Sequence, residues 1–269
     1  MRNQGLARCV YVRARILRAF SCFSLIIGLV LLLLLLAGLR QSLATPSSFE
    51  YHVLNPRIQS VPMQVMSLSD GNQIQVDGVS MRLDRYARET ISAGASLEPG
   101  TRITGTGPFT LGSEAKGADL PVPGLFAGAE FVIPHHRDHH YYYLLSPHGD
   151  ARVEIVTTQD PVLITLPKGE MVVFDAGNDN TRAGIIRSDR PILVEHAAYS
   201  GTVPRDAYPV PPVSRNLWGI RSNIAVVAAI EDGTTISVYS SNGEADQYSL
   251  NAGEKRRISI GQNGLHGSG

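Results

Sequence analysis

Cysteine is almost absent: Cys9 and Cys22 are the two in 269 residues, and none follows residue 44. A chain without cysteine holds together by burial and β ladders, which excludes a small disulfide-stapled ectodomain and suits a bacterial envelope protein better than an animal secreted one. Neither cysteine has a lipoprotein-type context, and Cys22 reads as an apolar member of a hydrophobic run. A basic excess is missing as well. Lys+Arg and Asp+Glu number 24 each and the net charge is zero, so nothing can neutralise a phosphate backbone and nucleic acid is not an expected partner. Helical periodicity is scarce beyond residue 45. No Gly-x-Ser-x-Gly elbow, phosphate loop, His-Glu-x-x-His pair or dinucleotide fingerprint stands in a strand-to-helix context. No catalytic residue and no cofactor is therefore expected.

One long hydrophobic run is present. Ala19 to Leu39 is uncharged and, at about 1.5 Å per residue, spans roughly 30 Å, the thickness of a bilayer's hydrocarbon core. Arg2, Arg8, Arg13, Arg15 and Arg18 precede it while only Arg40 follows closely. The positive-inside rule then keeps the N-terminus in the cytoplasm and sends the rest across. Residues 1–44 read as an Arg-rich tail plus either a single-pass signal anchor, with residues 19–39 in the membrane, or a signal peptide cleaved after Ala44, since Ser42-Leu43-Ala44 offers small residues where a peptidase reads. Both readings make the remainder extracytoplasmic. About 225 residues remain, enough for two or three compact units.

Those residues repeat. Leu83 to Leu111 reappears without a gap 83 positions later as Leu166 to Val194, with Ile91 on Phe174, Ala93-Gly94 on Ala176-Gly177, Ile103 on Ile186 and Pro108 on Pro191. A third copy starts at Leu250, where Gly253-Glu254 and Ile258 follow Gly169-Glu170 and Phe174 by 84 positions, and Gly261 lies 11 past its leucine as Gly94 and Gly177 do. Repetition at a fixed period means one structural unit copied along the chain, and copied units more often build scaffolds and binding arrays than single catalytic centres.

Apolar and polar residues alternate at period two. Strands are predicted at Gln73 to Val76, Ala129 to Ile133, Tyr141 to Leu145, Arg152 to Thr157, Val162 to Leu166, Met171 to Phe174, Gly184 to Arg187, Pro191 to His196, Ile224 to Ile230, Thr235 to Tyr239 and Lys255 to Ile260. Turn chemistry separates them, as at Asp70-Gly71, Lys168-Gly169, Asn178-Asp179-Asn180, Asp232-Gly233 and Asn242-Gly243. The expected fold is all-β: tandem antiparallel β-sandwich-like modules of about 80 residues. Their bounds are 45–119, 120–202 and 203–269, the last reading as incomplete because it lacks the strand that Pro191 opens in the second: either the sequence is a fragment of a longer protein or another molecule supplies that strand. Pro191 is expected at the first residue of a strand or on an edge, and the repeated glycine where a strand ends with a φ other residues avoid. Thr45 to Pro56 reads as a linker or first edge strand. Leu120 to Gly128 and Val203 to Val213 are proline-rich, and serve as stiff connectors, as edge strands on a neighbouring module, or as a binding loop.

The stretch from Leu125 to Gly201 carries a G-x-x-F-x-x-P strand (Gly128 to Pro134), a strand from Val153 to Val156, an L-x-x-G-E turn (Leu166 to Glu170) and an S-D-x-P-I-x-V strand (Ser188 to Val194). In these it resembles the N-terminal domain family of IgGFc-binding proteins. The resemblance covers about 75 residues well, with weaker echoes from Thr234 to Gly261. It implies an extracellular β-rich module of mucin-like and bacterial surface proteins, associated with adhesion or binding. It carries over no catalytic residue, and immunoglobulin binding is not implied.

The densest set of candidate ligands is His135, His136, Asp138, His139 and His140, with His148 after the next strand. Imidazoles bind zinc, copper or nickel, but on a straight strand His135 and Asp138 point to opposite faces, as do His136 and His139, so a divalent metal site requires the segment to turn. The same residues also read as a solvated hairpin loop, or as a surface that charges between about pH 5 and 7. Tyr141 and Tyr143 fall on one face and Tyr142 on the other. At least one belongs to the core, and its neighbours form an exposed aromatic strip or ordinary cross-strand pairs. Asp175, Asp179 and Asp189 with Asn178 and Asn180 offer oxygens to calcium, or turn residues. Glu154, Glu170, Glu195 and Glu254 would serve as a glycosidase pair only if two of them converge.

The reading that follows is a non-enzymatic extracytoplasmic surface or adhesion-type module with a protein or glycan ligand. The alternatives are a metal-dependent or carbohydrate-active envelope enzyme using His135 to His140, and a strand-exchanging assembly subunit.

Overall fold

The computed structural model describes residues 49–55, 63–91, 97–113, 120–135, 138–157, 160–178, 180–201, 203–214, 219–220, 224–239, 245–259 and 266–268. The membrane or signal segment, Cys9, Cys22, Ala44, Gly94, His136, Asp179, Asn242-Gly243 and Gly261 lie outside them. Among the described residues no helix is long and apolar enough to cross a membrane.

The protein is all-β with antiparallel sheets. The first strands are β1 (Phe49–His52), β2 (Met63–Ser67), β3 (Asn72–Val76), β4 (Val79–Leu83), β5 (Arg88–Ile91), β6 (Arg102–Gly105), β7 (Phe109–Ser113) and β8 (Val122–Pro123). They form a five-stranded sheet, β4-β3-β6-β1-β8, and a three-stranded sheet, β5-β2-β7. Alternation explains the layers: Ile74 and Val76 from β3, Met63 and Val65 from β2, and Phe109 and Leu111 from β7 turn the same way off their strands and meet in one buried cluster with Ile91 and Ile103. This is a sandwich.

Next come β9 (Gly128–Pro134), β10 (His139–Leu145), β11 (Ala151–Val156), β12 (Val162–Leu166), β13 (Met171–Gly177), β14 (Ala183–Ser200) and β15 (Val203–Pro209). Their registers reproduce the first set. Ile74 opposes Gly105 as Val153 opposes Ser188, and Met63 lies between Ile91 and Ser113 as Tyr142 lies between Phe174 and His196. The last strands are β16 (Gly219–Ile220), β17 (Ile224–Ala228), β18 (Thr234–Tyr239), β19 (Ala245–Leu250), β20 (Lys255–Ser259) and β21 (His266–Ser268). Here Thr234 opposes Leu250 as Ala151 opposes Leu166, and Ala225 opposes Ile258 as Tyr142 opposes Phe174.

One turn is built three times. Tyr86 N–H donates to Ser67 O, Gly169 N–H to Ser146 O and Gly253 N–H to Ala229 O, each at 2.8 Å. Beside each bond an aspartate accepts from the preceding backbone N–H: Asp70 from Arg85 at 3.1 Å, Asp150 from Lys168 at 2.9 Å and Asp232 from Ala252 at 2.9 Å. A carboxylate bonding a backbone N–H fixes the turn by a charge-assisted hydrogen bond.

Several expectations change. Gly184 to Arg187 and Pro191 to His196 are one strand, because β14 runs on from its pairing with β9 and β11 to its pairing with β10 and β15, with a register shift before Ile192. Pro191 therefore sits inside a strand, at the place where it changes sheets and where a missing N–H removes no ladder bond that both sheets need. The first set separates β6 from β7 at this point. There the buried Asn72 side chain accepts from Gly107 N–H at 2.9 Å and donates to the carbonyls of Gly107 and Pro108, replacing the ladder through the bend. Leu120 to Gly128 and Val203 to Val213 contribute edge strands rather than connectors alone, β8 lying on β1 and β15 on β14. β1 is flanked on both sides, by β6 and β8, and is no edge. Gly177 ends β13 at φ +74, as the repeated glycine requires.

Candidate functional site

The histidines on either side of residues 136–137 are placed differently by β9 and β10. His135, just past β9, is 2% exposed and His140, on β10, is fully buried. Their rings stack at 4.2 Å between centroids with 10° between planes. A third imidazole completes the row: His196 of β14, fully buried, places Nε2 2.9 Å from His140 Nδ1. One of these nitrogens must donate and the other accept, so the pair holds a single proton between them and fixes complementary tautomers. Tyr142 and Tyr208 close the ends. Tyr142 hydroxyl bonds His135 Nε2, and the Tyr208 ring stands edge-on to His196 at 5.0 Å. Burial pushes the Tyr142 hydroxyl far above the usual phenol range, so it stays protonated as a donor.

Gly184 makes room for this arrangement. A Cβ there would stand 1.8 Å from Tyr142 Oη and 3.2 Å from His135 Nε2, so any side chain would force the Tyr142 ring to shift. Lys255 of β20 donates from Nζ to the carbonyls of His135 and Asn180.

The remaining candidates separate. His139 points to the opposite face and bonds Asp175 at 2.6 Å, and Asp138 is half-buried. The solvated-loop reading of this segment is thus corrected for His135 and His140: both sides of β10 are covered. The exposed aromatic strip is corrected for the same reason. Tyr142 packs into the cluster with Phe131, Leu144 and Val194, while Tyr143 is buried on the other side with Leu54, Val122 and Leu193. Tyr141 is half-buried, edge-on to Tyr199 at 5.4 Å. Asp175 and Asp189 spend an oxygen each on backbone N–H groups, of Gly177 and Arg152. The glutamates have separate neighbours: Glu154 faces Arg187 at 3.6 Å, Glu254 caps Asn251 N–H at 2.7 Å, and Glu195 is buried on β14. Among the described residues no group of three His, Cys, Asp or Glu is placed to hold a metal ion.

A second buried polar group was not foreseen. Glu50 of β1 accepts from Arg102 of β6 at 2.7 Å (Nε) and 2.5 Å (Nη2), with His52 at 3.6 Å and His148 at 3.8 Å. Burial lowers the His52 pKa from its ordinary 6.5, and the adjoining Glu50 carboxylate opposes that shift. Parity was the missed signal in both groups. His196 shares the inward face of Ile192 and Val194, and Glu50 and His52 alternate with Phe49 and Tyr51, so a polar side chain falls where a strand faces packing.

Chemically, the three-histidine row is a packed, buried interior in which His135 Nε2 bonds the Tyr142 hydroxyl and His140 Nδ1 bonds His196 Nε2. No family model, no curated protein and no solved structure matches this chain.

Proposed function

We propose that this protein is a non-enzymatic extracytoplasmic surface or adhesion-type binding protein, built from tandem sandwich modules of about 80 residues. The modules are 45–119, 120–202 and 203–269, and the chain is exported through, or anchored by, residues 19–39. The observation that carries the reading is the turn made three times at Ser67–Tyr86, Ser146–Gly169 and Ala229–Gly253, together with the strand registers around it. A catalytic centre needs one site, whereas equal units stacked along a chain multiply surface. Contacts between units support stacking. Gly100 approaches Gly169 O, and at the equivalent place Ala183 N–H donates to Gly253 O at 2.9 Å. The resemblance to the IgGFc-binding N-terminal domain family favours the same reading, with a protein or glycan as ligand and no cofactor. An enzyme using His135 to His140 has weaker support, since His135 and His140 are interior.

The test has two arms. In cells expressing the chain with Cys9 and Cys22 changed to serine, Leu163→Cys, at a position 76% exposed, is expected to react with a membrane-impermeant maleimide without permeabilisation. The same cells are expected to be retained on immobilised glycoproteins or glycans above empty-vector cells. Labelling only after permeabilisation would contradict the address, and equal retention across the panel would contradict adhesion.

A further inference from the structure

Strand β12 bonds β11 along one side, and among the described residues no strand pairs with its other side. Every residue from Asp160 to Lys168 is described, and Leu163 is 76% and Val162 39% exposed. The equivalent strand of the first module is also an edge: β4 pairs with β3 alone, although residues 120–269 follow it in the chain. A succeeding module therefore does not cover this place.

The three equivalent strands differ in what they present. Leu163 and Thr165 alternate with Ile164 and Leu166, which face the core, and so point away from it. At their positions β4 has Ser80 and Arg82, and β19 has Gln247 and Ser249. Charge is a device by which natural edge strands avoid pairing, and β12, Val-Leu-Ile-Thr-Leu, has none.

Its flanks identify the strand that fits. Laid antiparallel on itself about Ile164, the segment sets Val162 beside Leu166, Leu163 beside Thr165, Pro161 beside Pro167, and Asp160 beside Lys168 at both ends. The prolines fall outside the ladder, where no N–H is needed, and each carboxylate meets an ammonium. Asp160 and Lys168 are exposed, and among the described residues neither side chain forms an ion pair.

We propose that β12 is a homotypic interface, at which two copies of this chain join edge to edge, antiparallel, about a two-fold axis at Ile164. The sheet of one copy then continues into the other, while side chains on its outer face, Leu163 among them, stay open to solvent. Such pairing is independent of which ligand the surface takes.

The experiment follows the mass of the full chain in detergent micelles, under reducing conditions, by sedimentation across a range of concentrations. The parent is expected to associate reversibly into a dimer. Asp160→Lys and Lys168→Asp each set like charges together at both ends, and each is expected to weaken association at least about tenfold. Mixed in equal amounts, the two variants regain opposite charges at both ends and are expected to dimerise as the parent does. The chain carrying both changes exchanges the charges within one copy and is expected to dimerise as well, which separates a lost contact from a fold damaged by either single change. A monomeric parent would overturn the proposal. So would a dimer that both single changes leave intact, because its interface then lies elsewhere. Weakened variants that neither the mixture nor the double change restores would overturn it too, since the two charges would not be facing each other across β12.

Discussion

Tyr86 and Gly169 occupy one conformation at equivalent places. Their φ angles are +66° and +75°, and each donates its N–H at 2.8 Å to the residue that closes the strand before the turn, Ser67 or Ser146. Gly253 repeats it at φ +74°. A left-handed turn costs glycine nothing and an L side chain about 1–2 kcal/mol, so the first copy carries strain the others avoid. The turn is dictated by the surrounding strands and the aspartate, and the residue conforms.

Tyr86→Gly is therefore expected to stabilise the protein, by up to about 1 kcal/mol once glycine's greater unfolded-state freedom is subtracted. Tyr86 is 68% exposed, so little packing is lost. Gly169→Ala is expected to cost about 1 kcal/mol. Urea midpoints at constant m check both, and opposite signs for the two variants are the point of the comparison.

The aspartates at 70, 150 and 232 should behave alike. Asp150→Ala removes the acceptor for Lys168 N–H, and is expected to cost about 1–2 kcal/mol, whereas Asp150→Asn keeps an acceptor oxygen and is expected to cost less than half of that. Chemical denaturation of the two variants, repeated at position 232, measures the turn's dependence on this bond.

Gly184 and Tyr142 are coupled sterically. Gly184→Ala is expected to cost about 2–3 kcal/mol through overpacking against the Tyr142 hydroxyl. In Tyr142→Phe the hydroxyl is gone, so the double variant is expected to be more stable than the sum of the singles by roughly 1 kcal/mol. A double-mutant cycle in urea tests this, and strict additivity would place Tyr142 elsewhere.

His52 sets a pH dependence. Its folded pKa lies below the ordinary 6.5, so below that pH the unfolded chain takes up a proton that the folded one does not. Stability contributed by neutral His52 is complete above about pH 6.5, falls as the pH drops towards the depressed folded value, and levels off beneath it. Relative to the parent, His52→Gln is expected to lose less stability between pH 7 and 5. Parallel curves for the two proteins would contradict the assignment.

Much of the architecture is legible in the residues. Val162 to Leu166 and Met171 to Phe174 are strands as period two requires, and the 83-residue offset reappears in the strands that flank Met63 and Tyr142, Ile91 matching Phe174 and Ser113 matching His196. The first sheets were hidden by short strands, most of them four or five residues long: β4, Val-Ser-Met-Arg-Leu, alternates strictly, yet Val79 is exposed and only Leu83 is buried, so too little of the pattern marks a core face. Pro191 misled because proline normally opens a strand, whereas a strand crossing between sheets has a residue whose N–H is dispensable. The histidines were visible as a group, but not their destination. His135 and His140 are five apart, and it is the packing of β9 and β10 on β14, with His196 arriving from 56 residues away, that stacks them inside instead of facing solvent.

The central claim is that one sandwich unit is written three times, and cross-strand contacts measure it directly. Nuclear Overhauser effects on the isotopically labelled chain are expected to join the backbones of Met63 and Ile91, Tyr142 and Phe174, and Ala225 and Ile258. Finding any of the three pairs displaced by a residue, or absent while its two neighbouring strands remain ordered, would contradict it.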